Sequence, residues 1–352
     1  MRTLLLTAAL LAPALPSAAY QTPMEGTWRA RLQDSWNRDG ERWVSFQLER
    51  TRDRDFDHHF GMSVPLTDLE GLSARDDRFT AGNLRFALHR DAGDVNFQGD
   101  FNDGRGAGTW RFAPNAEFVS AMRRTYRDLT PDEVLKMAVI DVSRTFAQSV
   151  QGQTASTPTV DDLIKMRIHG VTRDYIEGMR KAGYDKLTID ELVKTRIHGA
   201  TPAFVQEMKA AGYDNLSIDA LVKMRIHGVT PDFVREMRDL GYKSANVEDL
   251  VKLRIHGVTP AFIREMRELG YKETRLEDFV RFRIHGVSAQ FVRELRDLGY
   301  SNVSVEDLVR MRIHGVTADF VREVKAAGFK NMSPDELVDF SIHGGKRWLA
   351  RR

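Results

Sequence analysis

Two hydrophobic rhythms divide the chain. From about residue 24 to residue 114, apolar and polar positions alternate, as in Trp43-Val44-Ser45-Phe46-Gln47-Leu48, Leu84-Arg85-Phe86-Ala87-Leu88 and Thr109-Trp110-Arg111-Phe112. A period of two, rich in aromatics, predicts half-buried strands. Asp91-Ala92-Gly93 and Asn102-Asp103-Gly104-Arg105-Gly106 fall between such runs and predict hairpin turns, because Gly, Asn and Asp tolerate positive φ. The expectation is about six antiparallel strands in a small sandwich or open barrel. Pro65 to Ser73 reads as a turn-rich crossing with one helical turn.

From about residue 115 the rhythm becomes helical, and it repeats. Arg-Ile-His-Gly stands at 167–170, 196–199, 225–228, 254–257, 283–286 and 312–315, and returns as Ser341-Ile342-His343-Gly344. The step is 29 residues, from 169 to 198 and onward. A fixed period in this range is the signature of a repeat array. In the unit 217–245, Ser217 suits an N-cap, Leu221, Val222, Met224 and Ile226 supply apolar content, and Gly228 suits a left-handed stop. Thr230-Pro231 begins a second helix, Phe233, Val234, Met237 and Leu240 form its stripe, and Gly241 ends it. Asp219 and Lys223 are spaced to pair within one helix, as are Asp161–Lys165, Asp190–Lys194, Glu248–Lys252, Glu277–Arg281 and Glu306–Arg310. Helices of about 10 residues are marginal alone in water and must be held by stacking.

The predicted fold class is therefore α+β, an N-terminal antiparallel β-domain followed by an all-α solenoid of two-helix repeats. The expected divisions are a signal peptide at 1–19, the β-domain at 24–114 and a helical capping or degenerate repeat at 115–158. Helical hairpin repeats follow at 159–344 and a basic tail at 345–352. Within the capping unit, Ile140 and Asp141 stand where the later units carry His and Gly.

The N-terminus sharpens this picture. Arg2, the apolar run Leu4 to Ala12, and Ser17-Ala18-Ala19 read as a secretory signal peptide cut near Tyr20. The run is too short to span a bilayer. The expected location is periplasmic or secreted, with no membrane span after cleavage. Lys and Arg total 52 against 50 Asp and Glu, a net charge of +2. That balance argues against a nucleic-acid or membrane protein held by bulk charge. Cysteine is absent, which removes disulfides, thiolate metal sites and a Cys nucleophile.

Candidate chemistry is sparse. The ladder His169, His198, His227, His256, His285, His314 and His343 sits at helix ends, where a partial positive charge suits the dipole. Packed helices lie about 8–10 Å apart, too far for neighbouring histidines to share one metal at about 2 Å. They are read as structural helix-end residues, with a pH-responsive interface as the alternative. Asp53, Asp55 and Asp57 with His58 and His59 form a D-x-D-x-D stretch. It lacks the Gly and Glu that a calcium loop requires, so it reads as a solvated loop. Gly104 to Gly108 leads into a strand rather than a helix and is not a dinucleotide fingerprint. No cofactor, catalytic residue or metal ligand is expected. Ile is assigned to the core and Gly to the stop. The row Arg167, Arg196, Arg225, Arg254, Arg283 and Arg312 has no evident packing role and is the candidate interaction row.

The run Leu250-Val251-Lys252-Leu253-Arg254-Ile255-His256-Gly257-Val258-Thr259-Pro260 to Gly270-Tyr271 resembles a bacterial tandem repeat of exported proteins. The same repeat is associated with the extracytoplasmic tails of β-lactam-sensor-type membrane metallopeptidases, whose zinc motif and membrane helices are absent here. The resemblance covers nearly all of the mature chain and implies an accessory or sensing module without a catalytic role. A weaker likeness, through Ile226-His227-Gly228-Val229-Thr230-Pro231, is to the helix-hairpin-helix DNA module, with Thr230 in the place of its second glycine. The expected function is a non-enzymatic scaffold for an unknown protein or peptide. The alternatives are a nucleic-acid-binding array, or an envelope ligand-binding β-domain with Trp28 and Trp110 lining a pocket.

Overall fold

A computed structural model of the protein describes residues 24–33, 42–50, 59–74 and 78–345. The expected signal peptide, the stretch Asp53 to His58 and residues 346–352 of the basic tail lie outside the described residues. The chain is α+β. It forms two compact units, one ending at Ile197 and one beginning at His198.

The first unit opens with β1 (Met24–Leu32), β2 (Trp43–Arg50), β3 (His59–Pro65), β4 (Leu69–Glu70), β5 (Ala81–Arg90), β6 (Gly93–Asn102) and β7 (Arg105–Pro114). They make one antiparallel sheet in the order β3-β2-β1-β7-β6-β5-β4, rather than two packed sheets. The strand beyond the expected six is β4. It has only two residues, too few to show an alternation. A short helical turn at Leu66–Asp68 precedes it, as the crossing suggested.

The sheet is strongly curled. Between β2 and β5 lie three strands, so the two would sit about 19 Å apart in a flat sheet. Yet the rings of Phe46 and Phe86 are 6.2 Å apart, and Phe46 stacks on Phe97 at 5.0 Å. Curling closes one face around these rings and Trp28, which is 1% exposed. The turn Asp103–Gly104 carries positive φ at both residues, and β7 begins at Arg105, so the last two residues of the stretch expected to be turn are strand. Gly106 is thus a strand residue. A Cβ there would lie 2.6 Å from the Trp28 ring, so glycine makes room for the indole.

Helices follow in the same unit: α1 (Ala116–Met122), α2 (Pro131–Ile140), α3 (Arg144–Val150), α4 (Val160–Ile168), α5 (Arg173–Lys181) and α6 (Ile189–Ile197). The degenerate unit is α2 and α3. It docks on the sheet, with α2 reaching β6 and β7. Asp91 at the β5–β6 turn accepts from the Arg144 backbone N–H at 2.7 Å and from its guanidinium at 2.6 and 2.9 Å. Burial pushes the Asp91 carboxyl up, but the Arg144 bonds outweigh it and hold it below its ordinary value. Asp141 takes the left-handed conformation that later units give to Gly.

The second unit contains α7 (Pro202–Ala210), α8 (Ile218–Ile226), α9 (Pro231–Asp239), α10 (Val247–Ile255), α11 (Pro260–Glu268), α12 (Leu276–Ile284), α13 (Ala289–Asp297), α14 (Val305–Ile313), α15 (Ala318–Ala326) and α16 (Pro334–Ile342). First helices stack on first helices, α8 on α10 on α12 on α14 on α16, and second helices on second helices. Caps form as expected: Ser217 Oγ accepts from the Ala220 N–H and Thr230 Oγ1 from the Phe233 N–H. Leu221, Val222, Met224, Phe233, Val234 and Met237 are all buried.

Candidate functional site

The Arg-Ile-His-Gly corner is built by its glycine. Gly228 has φ +68, and past it the Val229 N–H returns to the Met224 carbonyl at 2.8 Å. This six-to-one bond closes a Schellman motif, which requires a left-handed residue after the cap. The same bond closes at Val258, Val287 and Val316, each also at 2.8 Å. The valine after each of these glycines is buried, so the corner is fixed from both sides.

The isoleucine does not face the core, contrary to expectation. Ile168, Ile197, Ile226, Ile255, Ile284, Ile313 and Ile342 are 52–58% exposed. Helical geometry gives the reason. At 100° per residue, Ile226 lies about 125° from the middle of the Leu221, Val222 and Met224 arc, but within about 60° of Asp219 and Lys223. It therefore shares the outer stripe with the charged pair. The signal was present in the sequence as the i, i+4, i+7 spacing of Asp219, Lys223 and Ile226.

The arginine has the packing role that the isoleucine lacks. It points along the core arc at the last turn and emerges over the preceding repeat. Arg225 lies 5.0 Å from the Phe204 ring centroid, Arg254 5.2 Å from Phe233, Arg283 5.2 Å from Phe262 and Arg312 5.0 Å from Phe291. Arg167 and Arg196 take the same seat over Phe146 and Tyr175. Cation–π contacts of this kind are worth about 0.5–1 kcal/mol where exposed. Arg167 also pairs with Asp141, and Arg196 Nε donates to the Gly170 carbonyl at 3.1 Å. Arg225, Arg254, Arg283 and Arg312 have no carboxylate within ion-pair distance among the described residues.

The first-helix cations pair between repeats, and Arg281 and Arg310 also meet Asp278 and Asp307 of their own helices. Lys223 Nζ meets Glu248 at 2.5 Å, Lys252 meets Glu277 at 3.9 Å, Arg281 meets Glu306 at 2.7 Å and Arg310 meets Asp335 at 2.6 Å. Lys165 pairs with Asp190 in the first unit. Second helices use both routes, with Arg264 on Glu236 at 2.7 Å and Arg293 on Glu265 at 3.1 Å between repeats, and Arg235 on Asp232 and Lys181 on Glu177 within one helix. The acid–base spacing expected to pair inside a helix instead makes ladders between stacked helices.

The histidines occupy the helix ends. His169, His227, His256, His285, His314 and His343 are the C-cap residues, and His198 follows α6 directly. Each stands beside the exposed isoleucine of its own corner. Among the described residues no group of three or more His, Asp or Glu is placed to hold a metal ion.

Tyrosines after the second-helix glycine form a further inter-repeat row. Tyr242 donates to the Thr274 carbonyl at 2.9 Å, Tyr271 to Val303 at 2.7 Å and Tyr300 to Met332 at 2.8 Å. Burial raises all three phenols, and Tyr271 reaches about 12.

On the β-domain, Trp28 and Trp110 are both 1% exposed; Trp28 is packed among core rings, whereas Trp110 borders an open depression. Each indole N–H donates to backbone carbonyls, Trp28 to Thr109 at 3.1 Å and Trp110 to Thr27 at 3.1 Å. A broad open depression of about 1060 Å³ lies against Glu25, Thr27, Arg85, His89, Gln98 and Arg111. A hydrogen bond from His89 Nδ1 to Asp94 at 2.8 Å raises the imidazole pKa, and Glu70 adds to it.

No helix among the described residues is long and apolar enough to cross a membrane. Neither the protein-family models nor the curated proteins compared with the chain match it.

Proposed function

We propose that this protein is a non-enzymatic, exported interaction scaffold that docks a protein or peptide partner on its isoleucine row. The observation that carries the reading is the exposure of Ile226, Ile255, Ile284, Ile313 and Ile342 at one position of every repeat in the second unit. These side chains neither fill the core nor cap a helix. A large apolar residue repeated on the surface costs solubility unless something covers it, and extended repeat faces suit recognition of chains. The signal-like N-terminus and the likeness to repeats of extracytoplasmic sensor tails support an extracytoplasmic site of action.

The test compares the full chain with a variant carrying Ile226→Ser, Ile255→Ser, Ile284→Ser and Ile313→Ser. Both are used as bait in crosslinked cell-envelope extract. A protein retained by the first and lost from the second supports the scaffold. Equal retention by both rejects the isoleucine row as the docking face.

A further inference from the structure

We infer that the partner docking on this row is an acidic amphipathic helix, an assignment that rests on the scaffold reading above. The inference comes from two rows that run side by side. One is the isoleucine row. The other is Arg225, Arg254, Arg283 and Arg312, which sit over aromatic rings without a carboxylate partner among the described residues. The cations of the neighbouring ladder, such as Lys223 and Arg281, each hold a carboxylate of the next repeat. Positive charge is thus left uncompensated beside the apolar row.

Spacing selects a helix. Stacked first helices lie about 8–10 Å apart, so the isoleucines recur at about 10 Å. In a helix, positions seven apart share a face and are about 10.5 Å apart. In a strand, residues on one face recur at about 6.7 or 13.4 Å, and neither matches. Five isoleucines span four steps, which a helix of about 28 residues covers. Leucine-like residues at every seventh position would meet the isoleucines, and Glu or Asp on one flank would meet the arginines.

The same observations disfavour other occupants. A second copy of this chain brings ladder acids such as Glu248 and Glu306 that are already paired. A membrane surface calls for a broad apolar face with aromatic anchors, whereas here single isoleucines alternate with charged pairs. A phosphate backbone has no use for the apolar row.

The assay measures binding of fluorescent peptides to the full chain. The first probe is a synthetic helix of about 28 residues with Leu at heptad positions a and d and Glu at e and g. The second replaces every Glu by Lys. The acidic peptide is expected to bind at least tenfold more tightly than the basic one, and to weaken as salt rises. Ile255→Asp with Ile284→Asp is expected to lower its affinity at least tenfold, and Ile255→Ser with Ile284→Ser to lower it severalfold, with unchanged melting temperatures. Equal binding of both peptides, lost on Ile→Asp, overturns the acidic assignment while the docking row stands. Failure of both peptides overturns the helix. Isoleucine-dependent dimerisation by sedimentation, or isoleucine-dependent binding to phosphatidylglycerol vesicles or duplex DNA in place of peptide, overturns it in favour of that occupant.

Discussion

Tyr271 makes the stability of the second unit depend on alkaline pH. Its hydroxyl donates to the Val303 carbonyl at 2.7 Å, and its ring meets Phe282 edge-on at 5.8 Å. Burial disfavours the phenolate, and Arg296 opposes this only in part, so the phenol is pushed up to about 12 from 10.0. A folded pKa above the unfolded one means that the unfolded chain releases its proton first. Stability is therefore fully present below about pH 10 and is lost as pH rises through about 12. Two pKa units at 1.36 kcal/mol each set a ceiling of about 2.7 kcal/mol. The phenol is only partly buried, and screening reduces this to about 1–2 kcal/mol. Urea unfolding of the wild type and Tyr271→Phe at about pH 8, 10 and 11.5 reads the effect. Lysines of the ladder titrate in the same range, so the difference between the two proteins carries the result. At about pH 8 the Phe variant is expected to be less stable by about 1 kcal/mol, the value of the lost hydrogen bond. By about pH 11.5 that gap should close or reverse. A gap that stays constant with pH, or a tyrosinate absorbance from this residue near pH 10, refutes the reasoning.

Other consequences follow from the same geometry. Gly257→Ala places a side chain at φ +67 within 3.3 Å of the Arg283 guanidinium, and should cost about 1–2 kcal/mol by urea unfolding. Leu250→Ala, in the core at 1% exposure, should cost about 2–5 kcal/mol, whereas Ile255→Ala on the same helix should stay within about 0.5 kcal/mol. Asp91→Asn removes the charge that holds Arg144, and thermal unfolding of the first unit should fall by about 2 kcal/mol in stability. The wild-type Asp91 contribution should itself be fully present above the ordinary carboxylate range and be lost as pH falls from there through the lowered carboxyl pKa, because the group is depressed in the folded state.

The sequence alone determined whatever depends on neighbours along the chain. Ser217 and Thr230 cap because a hydroxyl reaches an N–H two or three residues on, and Gly228 stops its helix because only local sterics decide its φ. The 29-residue step, the buried Leu221, Val222 and Met224, and the strands around Trp28 and Phe97 are legible for the same reason. Asp103–Gly104 marked its turn, although the strand start at Arg105 was hidden by the glycines that Trp28 requires. Tertiary structure decided everything that depends on what is stacked where. The curl that brings Phe46 to Phe86 comes from strand order, which no local pattern encodes. Lys223 pairs with Glu248 of the next repeat rather than with Asp219 of its own helix, a choice only the stacking makes available. Arg254 and Ile255 are consecutive, polar and apolar, and a sequence reading places the second inside. At the last turn of a short helix the neighbouring repeat supplies an aromatic seat along the core arc, and only a long flexible side chain reaches it. The arginine is drawn in over Phe233, and the isoleucine, about 100° further round, is left facing solvent.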